Sequence, residues 1–119
     1  MLLFTKQITK QLLENGKINA EKRETTGRTI DFKPVVKLFT PDAQCTWLLS
    51  EIYPDDSDIA FGLADLGFGE PELGDIYLPE IKSIKGPLGL HIERDRFFRP
   101  EYTLSEYAYR ARNKGHIAA

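Results

Sequence analysis

The chain predicts an α+β domain, a single compact unit over residues 1–119 in which two to three helices cover one face of a mainly antiparallel sheet of about four strands. Three observations carry this. Apolar residues alternate along residues 30–38 and again along 59–66, the period of a strand with one buried side. Thr103-Leu104-Ser105-Glu106 has the form of a capping box and opens a stretch with helical spacing. Strand patterns also follow one another, with helical patterns before, between and after them.

In chain order, Thr5 is placed to cap a helix from Lys6 to about Glu14, with Ile8 and Leu12 on one face and Asn15-Gly16 as a left-handed stop. Residues 19–28, polar and broken by Gly27, read as a mobile connector. In the first strand Ile30, Phe32, Pro34, Val36 and Leu38 take one face, and Asp31, Lys33 and Lys37 the other. Pro34 has no N–H for a ladder, so this strand lies at an edge or is interrupted there.

Thr40-Pro41-Asp42 reads as a cap with proline in the first turn, leading a helix over residues 42–52 that places Cys45, Leu48, Leu49 and Ile52 on one side and Trp47 at its margin. Asp55, Asp56 and Asp58 make a polar turn. The next strand sets Ile59, Phe61 and Leu63 against Ala60, Gly62 and Ala64, a side thin enough for close approach. Residues 67–74, with three glycines and a proline, form a connector. Period two returns at Ile76 and Leu78 and at Leu88, Leu90 and Ile92, giving two further strands around a helical turn at Pro79-Glu80-Ile81-Lys82. The last helix buries Leu104, Tyr107, Ala108 and Ala111, carries Arg110, Arg112 and Lys114 at its negative end, and stops at Gly115, after which the tail reads as mobile.

The composition, 41% hydrophobic and 29% charged, supplies enough apolar surface for a folded core. One cysteine, Cys45, excludes an internal disulfide and suits a cytoplasmic location. No secretion signal opens the chain and no apolar run is long enough to span a bilayer, so no membrane association is expected. The formal net charge of −2 conceals a segregated pattern. Residues 38–81 hold ten carboxylates and no Lys, Arg or His, whereas the flanks on either side each hold eight basic and four acidic residues. Such segregation sets partner choice and association rate rather than fold.

A set of short motifs in register covers the chain from Lys37 to Arg112. They are Lys37-Leu38-Phe39-Thr40-Pro41-Asp42-Ala43 with Thr46-Trp47-Leu48-Leu49, Phe61-Gly62-Leu63-Ala64-Asp65-Leu66-Gly67 and Pro71-Glu72-Leu73-Gly74. Gly86-Pro87-Leu88-Gly89-Leu90, Ile92-Glu93-Arg94-Asp95 and Thr103-Leu104-Ser105-Glu106-Tyr107 follow in the same order. With these the chain resembles the bacterial family known as domain of unknown function 2958, most strongly over residues 37–113 and most weakly over 1–36. The resemblance implies an origin on plasmids and conjugative elements, sometimes near antirestriction or DNA-modification genes. It supplies no activity, cofactor or catalytic residue.

Three functions compete for the motif residues. In the preferred one, Asp55, Asp56, Asp58, Asp65, Glu70, Glu72 and Asp75 share a solvent-facing surface that binds a basic protein partner, in a non-enzymatic accessory role on a mobile element, with an anti-defence role as its sharper form. In the second, Asp65, Glu70, Glu72 and Asp75 gather at the glycine-rich turn to hold Mg²⁺ for phosphodiester chemistry. The absence of a nearby cation or base counts against this. In the third, Arg94, Arg96 and Arg99 grip phosphates while Trp47, Phe97, Phe98, Tyr102, Tyr107 and Tyr109 stack on single-stranded nucleic acid. Glu93 and Asp95 are better read as salt-bridge partners of these arginines than as an acid/base pair, Cys45 as a packing residue, and His91 as a hydrogen-bonded structural histidine. No His or Cys spacing suits zinc, and no phosphate-loop or dinucleotide fingerprint is present, so no metal and no cofactor are expected. Oligomeric state carries no signal in the chain.

Overall fold

A computed structural model describes residues 3–119. The elements run α1 (Lys6–Thr26), β1 (Val36–Phe39), β2 (Thr46–Ile52), β3 (Ile59–Asp65), β4 (Glu72–Tyr77), α2 (Leu78–Ser83), β5 (Glu93–Arg94) and α3 (Leu104–Lys114). All strand pairs are antiparallel in the order β4-β3-β2-β1-β5. The α+β class holds, with five strands and three helices.

Both faces of the sheet are covered, not one. On one side Leu12, Val36, Leu38, Trp47, Leu49, Ile52, Ala60 and Ile76 pack with Leu78 and Ile81 of α2. On the other, Leu48 and Leu63 meet Leu104, Tyr107, Ala108 and Ala111 of α3. This explains the largest correction. Residues 46–52 form the central strand β2, not a helix, because a strand buried on both faces is apolar at consecutive positions and loses its period-two signature. Thr40-Pro41-Asp42 is a turn instead of a helix start. The Thr40 side-chain oxygen accepts the Cys45 N–H at 2.9 Å, and Asp42 accepts the Leu88 N–H at 2.7 Å.

Helix α1 does not stop at Asn15-Gly16. It runs 21 residues to Gly27, which takes φ 72° and donates to the Arg23 carbonyl, so most of the expected mobile connector is helical. Its buried positions are Leu12, Asn15, Gly16 and Asn19, a regular i, i+3, i+4, i+7 stripe in which only one residue is apolar. Pro34 lies before β1, which begins at Val36, so the proline interrupts the strand expected over residues 30–38. Of the strand expected around Leu88, Leu90 and Ile92, the chain forms a single bridge, Lys85 to His91, and the two-residue β5, leaving Leu88 and Leu90 exposed.

Thr103 does sit at the N-cap of α3, but its side chain makes no capping bond. Asp31 supplies the cap, accepting from the Ser105 N–H at 3.2 Å and from the Ser105 hydroxyl, while the Phe32 carbonyl accepts the Leu104 N–H at 2.9 Å. The tail is anchored too, since Ile117 is buried and donates its N–H to Asp65 at 2.9 Å.

Candidate functional site

The site is built where α1 meets β2. Strand β1 pairs with β2 only as far as Val36 opposite Leu49, and the register of β2 against β3 shifts between Leu49 and Glu51. The end of β2 therefore needs another partner for its backbone. Helix α1 provides it. Asn15 Nδ2 donates to the Ser50 carbonyl at 2.9 Å, and Gly16 lies so close that a Cβ there would stand 1.7 Å from the Ile52 carbonyl oxygen. One turn further, Asn19 Nδ2 donates to Glu51 Oε1 at 2.8 Å and to the Ile30 carbonyl at 3.1 Å, while Asn19 Oδ1 accepts the Ile30 N–H at 2.7 Å.

This seam buries Glu51 to 5% exposure and leaves its Oε2 without a hydrogen-bond partner. Desolvation raises the Glu51 pKa above the ordinary carboxylate value, opposed by the Asn19 hydrogen bond and by the Arg23 charge. Glu51 pairs with Phe61 across the strands, which places it on the α3 side of the sheet. There it lines a cavity of about 600 Å³ with Arg23, Asp31, Phe32, Ser50, Tyr53, Phe61, Leu104 and Ser105 among its walls. Tyr53 donates its hydroxyl to Asp75 Oδ1 at 2.6 Å, and burial together with that carboxylate pushes the phenol pKa well above its usual range. The arrangement brings a buried carboxyl, a hydrogen-bonded phenol and aromatic walls together.

The acidic residues singled out from the sequence do not share one surface. Asp55, Asp56 and Asp58 are exposed on the β2–β3 turn, where Asp56 Oδ1 accepts the Asp58 N–H at 3.0 Å. Asp75 is exposed in mid-β4, and Glu80 lies in the first turn of α2, whose Leu78 N–H bonds the Asp58 carbonyl at 2.8 Å. Glu70 and Glu72 are exposed at the opposite end of the β3–β4 hairpin. Glu72 pairs with Ala64 there and Tyr77 with Ile59 at the near end, a separation of roughly 17 Å at ~3.4 Å per residue. Asp65 belongs to neither surface. It is 3% exposed, and its two oxygens accept the Gly67 and Ile117 N–H groups, both at 2.9 Å. The four-carboxylate metal reading therefore fails on geometry: Asp65 is pinned by backbone, Asp75 is held by Tyr53, and no group of three or more potential ligands comes together among the described residues.

The stacking platform is dismantled in a similar way. Trp47 and Tyr107 are buried, and Phe98 and Tyr102 pack against Tyr107 inside the α3 cluster. The Arg110 guanidinium lies 3.9 Å over the Tyr102 ring. Arg94 and Arg96 do line a second cavity, of about 500 Å³, with Lys37, Cys45 and the exposed Phe97, but Arg99 does not. Arg94 donates to the Leu3 carbonyl at 2.8 Å, and Asp95 pairs with Lys37 at 3.5 Å, not with an arginine. Cys45 is partly buried and packs against the core on the α1 side, as its reading as a packing residue expects, with its Sγ 3.6 Å from the Leu66 carbonyl oxygen, whereas His91 is exposed.

Glu51 is the residue that sequence reasoning passed over, one carboxylate among ten. Its signal was local: it is the only ionisable group in the apolar run Trp47-Leu48-Leu49-Ser50-Glu51-Ile52. Among the described residues no helix is long and apolar enough to cross a membrane. No match to a curated protein or to a solved structure was found. The family model described as Protein of unknown function (DUF2958) matches residues 3–118, which takes in α1 and the seam as well as the sheet. The chain belongs to this family.

Proposed function

We propose that this domain is a protein-interaction module of accessory character, whose acidic end receives a basic partner. The observation that supports it is the state of Asp55, Asp56, Asp58, Asp75 and Glu80. Asp55, Asp56, Asp58 and Glu80 are exposed around one end of the β3–β4 hairpin and Asp75 midway along β4, and none of the five forms an ion pair among the described residues. Like charges held at the end of a hydrogen-bonded hairpin repel one another and are relieved by a cationic surface, which speeds encounter and selects partner sign. Asp65 lies outside this surface, and Glu70 and Glu72 form a separate acidic spot.

The mobile-element setting implied by the family resemblance fits an accessory factor acting in the cytoplasm. A defence protein with a DNA-binding groove is one basic partner of that kind. The test is recovery of partners from native host extract with wild type and with Asp55→Asn, Asp56→Asn, Asp58→Asn and Asp75→Asn combined, read by mass spectrometry. The proposal expects a partner rich in surface lysine and arginine whose recovery collapses in the neutralised variant and at raised salt. Equal recovery from both proteins overturns it.

A further inference from the structure

We propose that the outer edge of β4 receives an extended, basic segment of the partner as an added antiparallel strand, with a lysine or arginine opposite Asp75. This rests on the interaction reading above and names what the partner presents. β4 ends the sheet on one side and β5 on the other. β5 is only two residues long, whereas β4 pairs with β3 over six residues without a register shift, which leaves one long edge open to pairing.

The register shows which groups this edge presents. The Leu78 N–H bonds the Asp58 carbonyl at 2.8 Å, and in an antiparallel ladder the hydrogen-bonded pairs recur at every second residue. Counted back from there through the pairs of β3 with β4, the backbones of Ile76, Gly74 and Glu72 turn toward β3, and the N–H and C=O groups of Tyr77, Asp75 and Leu73 turn outward. Among the described residues nothing bonds these outward groups. The side chains of Leu73, Asp75 and Tyr77 also share one face, the face on which Leu73 packs with the α3 cluster. Asp75 and Tyr77 are exposed there. On the other face a Cβ at Gly74 would meet nothing within 4 Å, so no side chain crowds the approach.

The charges select the occupant. Sheet edges are commonly guarded by lysine, proline or a bulge. β4 has none of these, and its only charges are Glu72 and Asp75. A second copy would set like charges one strand spacing apart, which is unfavourable, whereas a cation opposite Asp75 is favoured. Tyr53 occupies Asp75 Oδ1 and leaves Oδ2 for that cation. Leu73 and Tyr77 on either side suit apolar side chains at the flanking alternate positions of the added strand.

The probe is the blocked hexapeptide acetyl-VTRTVK-amide, titrated into the ¹⁵N-labelled full chain and followed by amide shifts. Laid antiparallel to β4, it sets its arginine opposite Asp75, its valines opposite Tyr77 and Leu73, and its lysine opposite Glu72. Saturable shifts centred on Leu73, Asp75 and Tyr77 are expected, with acetyl-VTETVE-amide at least about tenfold weaker. N-methylation of the two valines and the arginine removes the amides that pair with β4 and should abolish binding, whereas N-methylation of the threonines and lysine should spare it. In the chain carrying both Glu72→Lys and Asp75→Lys, shown to be folded by its amide spectrum, the preference should reverse toward the acidic peptide. No saturable shift in wild type, equal affinity for the two peptides, or indifference to which amides are methylated overturns the proposal. The acidic turn is tested separately. With Asp55, Asp56 and Asp58 neutralised, the peptide should still bind β4 while recovery of a protein partner is lost. A basic partner recovered without peptide binding removes strand addition alone, and peptide binding without a basic partner removes the interaction reading alone.

Discussion

Helices α1 and α3 both pack on the sheet, but by different chemistry. α3 docks through Leu104, Tyr107, Ala108 and Ala111, an apolar stripe whose burial follows the hydrophobic effect and whose spacing is visible in the chain. α1 docks through Leu12, Asn15, Gly16 and Asn19; Asn15 bonds the backbone that a missing neighbour strand leaves open on β2, and Asn19 bonds the Ile30 backbone and the Glu51 side chain. The first seam tolerates small shifts, because apolar contact is not directional. The second is directional throughout, and it places a carboxyl in the interior. A helix with few apolar residues can therefore be a structural element of the first rank when its polar stripe answers unpaired backbone.

Substitutions across the two seams sharpen that contrast. Gly16→Ala drives a methyl into the Ile52 carbonyl and should cost about 3 kcal/mol or more by denaturant unfolding, although alanine has the higher helix propensity. A stabilised Gly16→Ala protein would break the account of α1. Asn15→Ala leaves the Ser50 carbonyl unanswered and should cost about 2 kcal/mol, against a much smaller effect for alanine at the exposed Gln7 on the same helix. Asp31→Ala removes the cap of α3 and should cost about 1 kcal/mol, whereas Thr103→Ala, with no capping bond to lose, should cost less. Neutralising Asp55, Asp56 and Asp58 together should change stability by no more than about 0.5 kcal/mol, because these residues act at the surface.

Much of the fold is legible in the chain. β3, the polar turn before it, α3 and its Gly115 stop stand where alternation, spacing and capping chemistry put them. The misreadings share a cause, which is that local pattern reports burial on one side only. β2 is buried on both sides, so Trp47, Leu48 and Leu49 read as helix. The stripe of α1 is polar, so Asn15-Gly16 reads as an end. Asp31 caps a helix 74 positions away, and Asp65 ties the β3–β4 loop to the tail, neither of which any local window contains. Of the candidate site, Asp55, Asp56 and Asp58 were legible as exposed charge. The division of the acidic residues between two ends of one hairpin depends on strand register, which a count of carboxylates does not carry.

Burial of Glu51 also ties the seam to pH. Its folded pKa is raised, so between the ordinary glutamate value and the folded one the native state binds more protons than the unfolded chain. Stability from this group is present in full below the unfolded pKa and falls as pH rises through the folded one. Glu51→Gln, which cannot ionise, should lose that pH dependence and gain relative to wild type toward neutral pH.

The most direct measurement is the titration of the Glu51 carboxyl carbon by NMR in the ligand-free protein. The account predicts a midpoint above the ordinary glutamate value. A Glu51 midpoint at or below that value would mean that α1 does not enclose this carboxyl, and would contradict the seam.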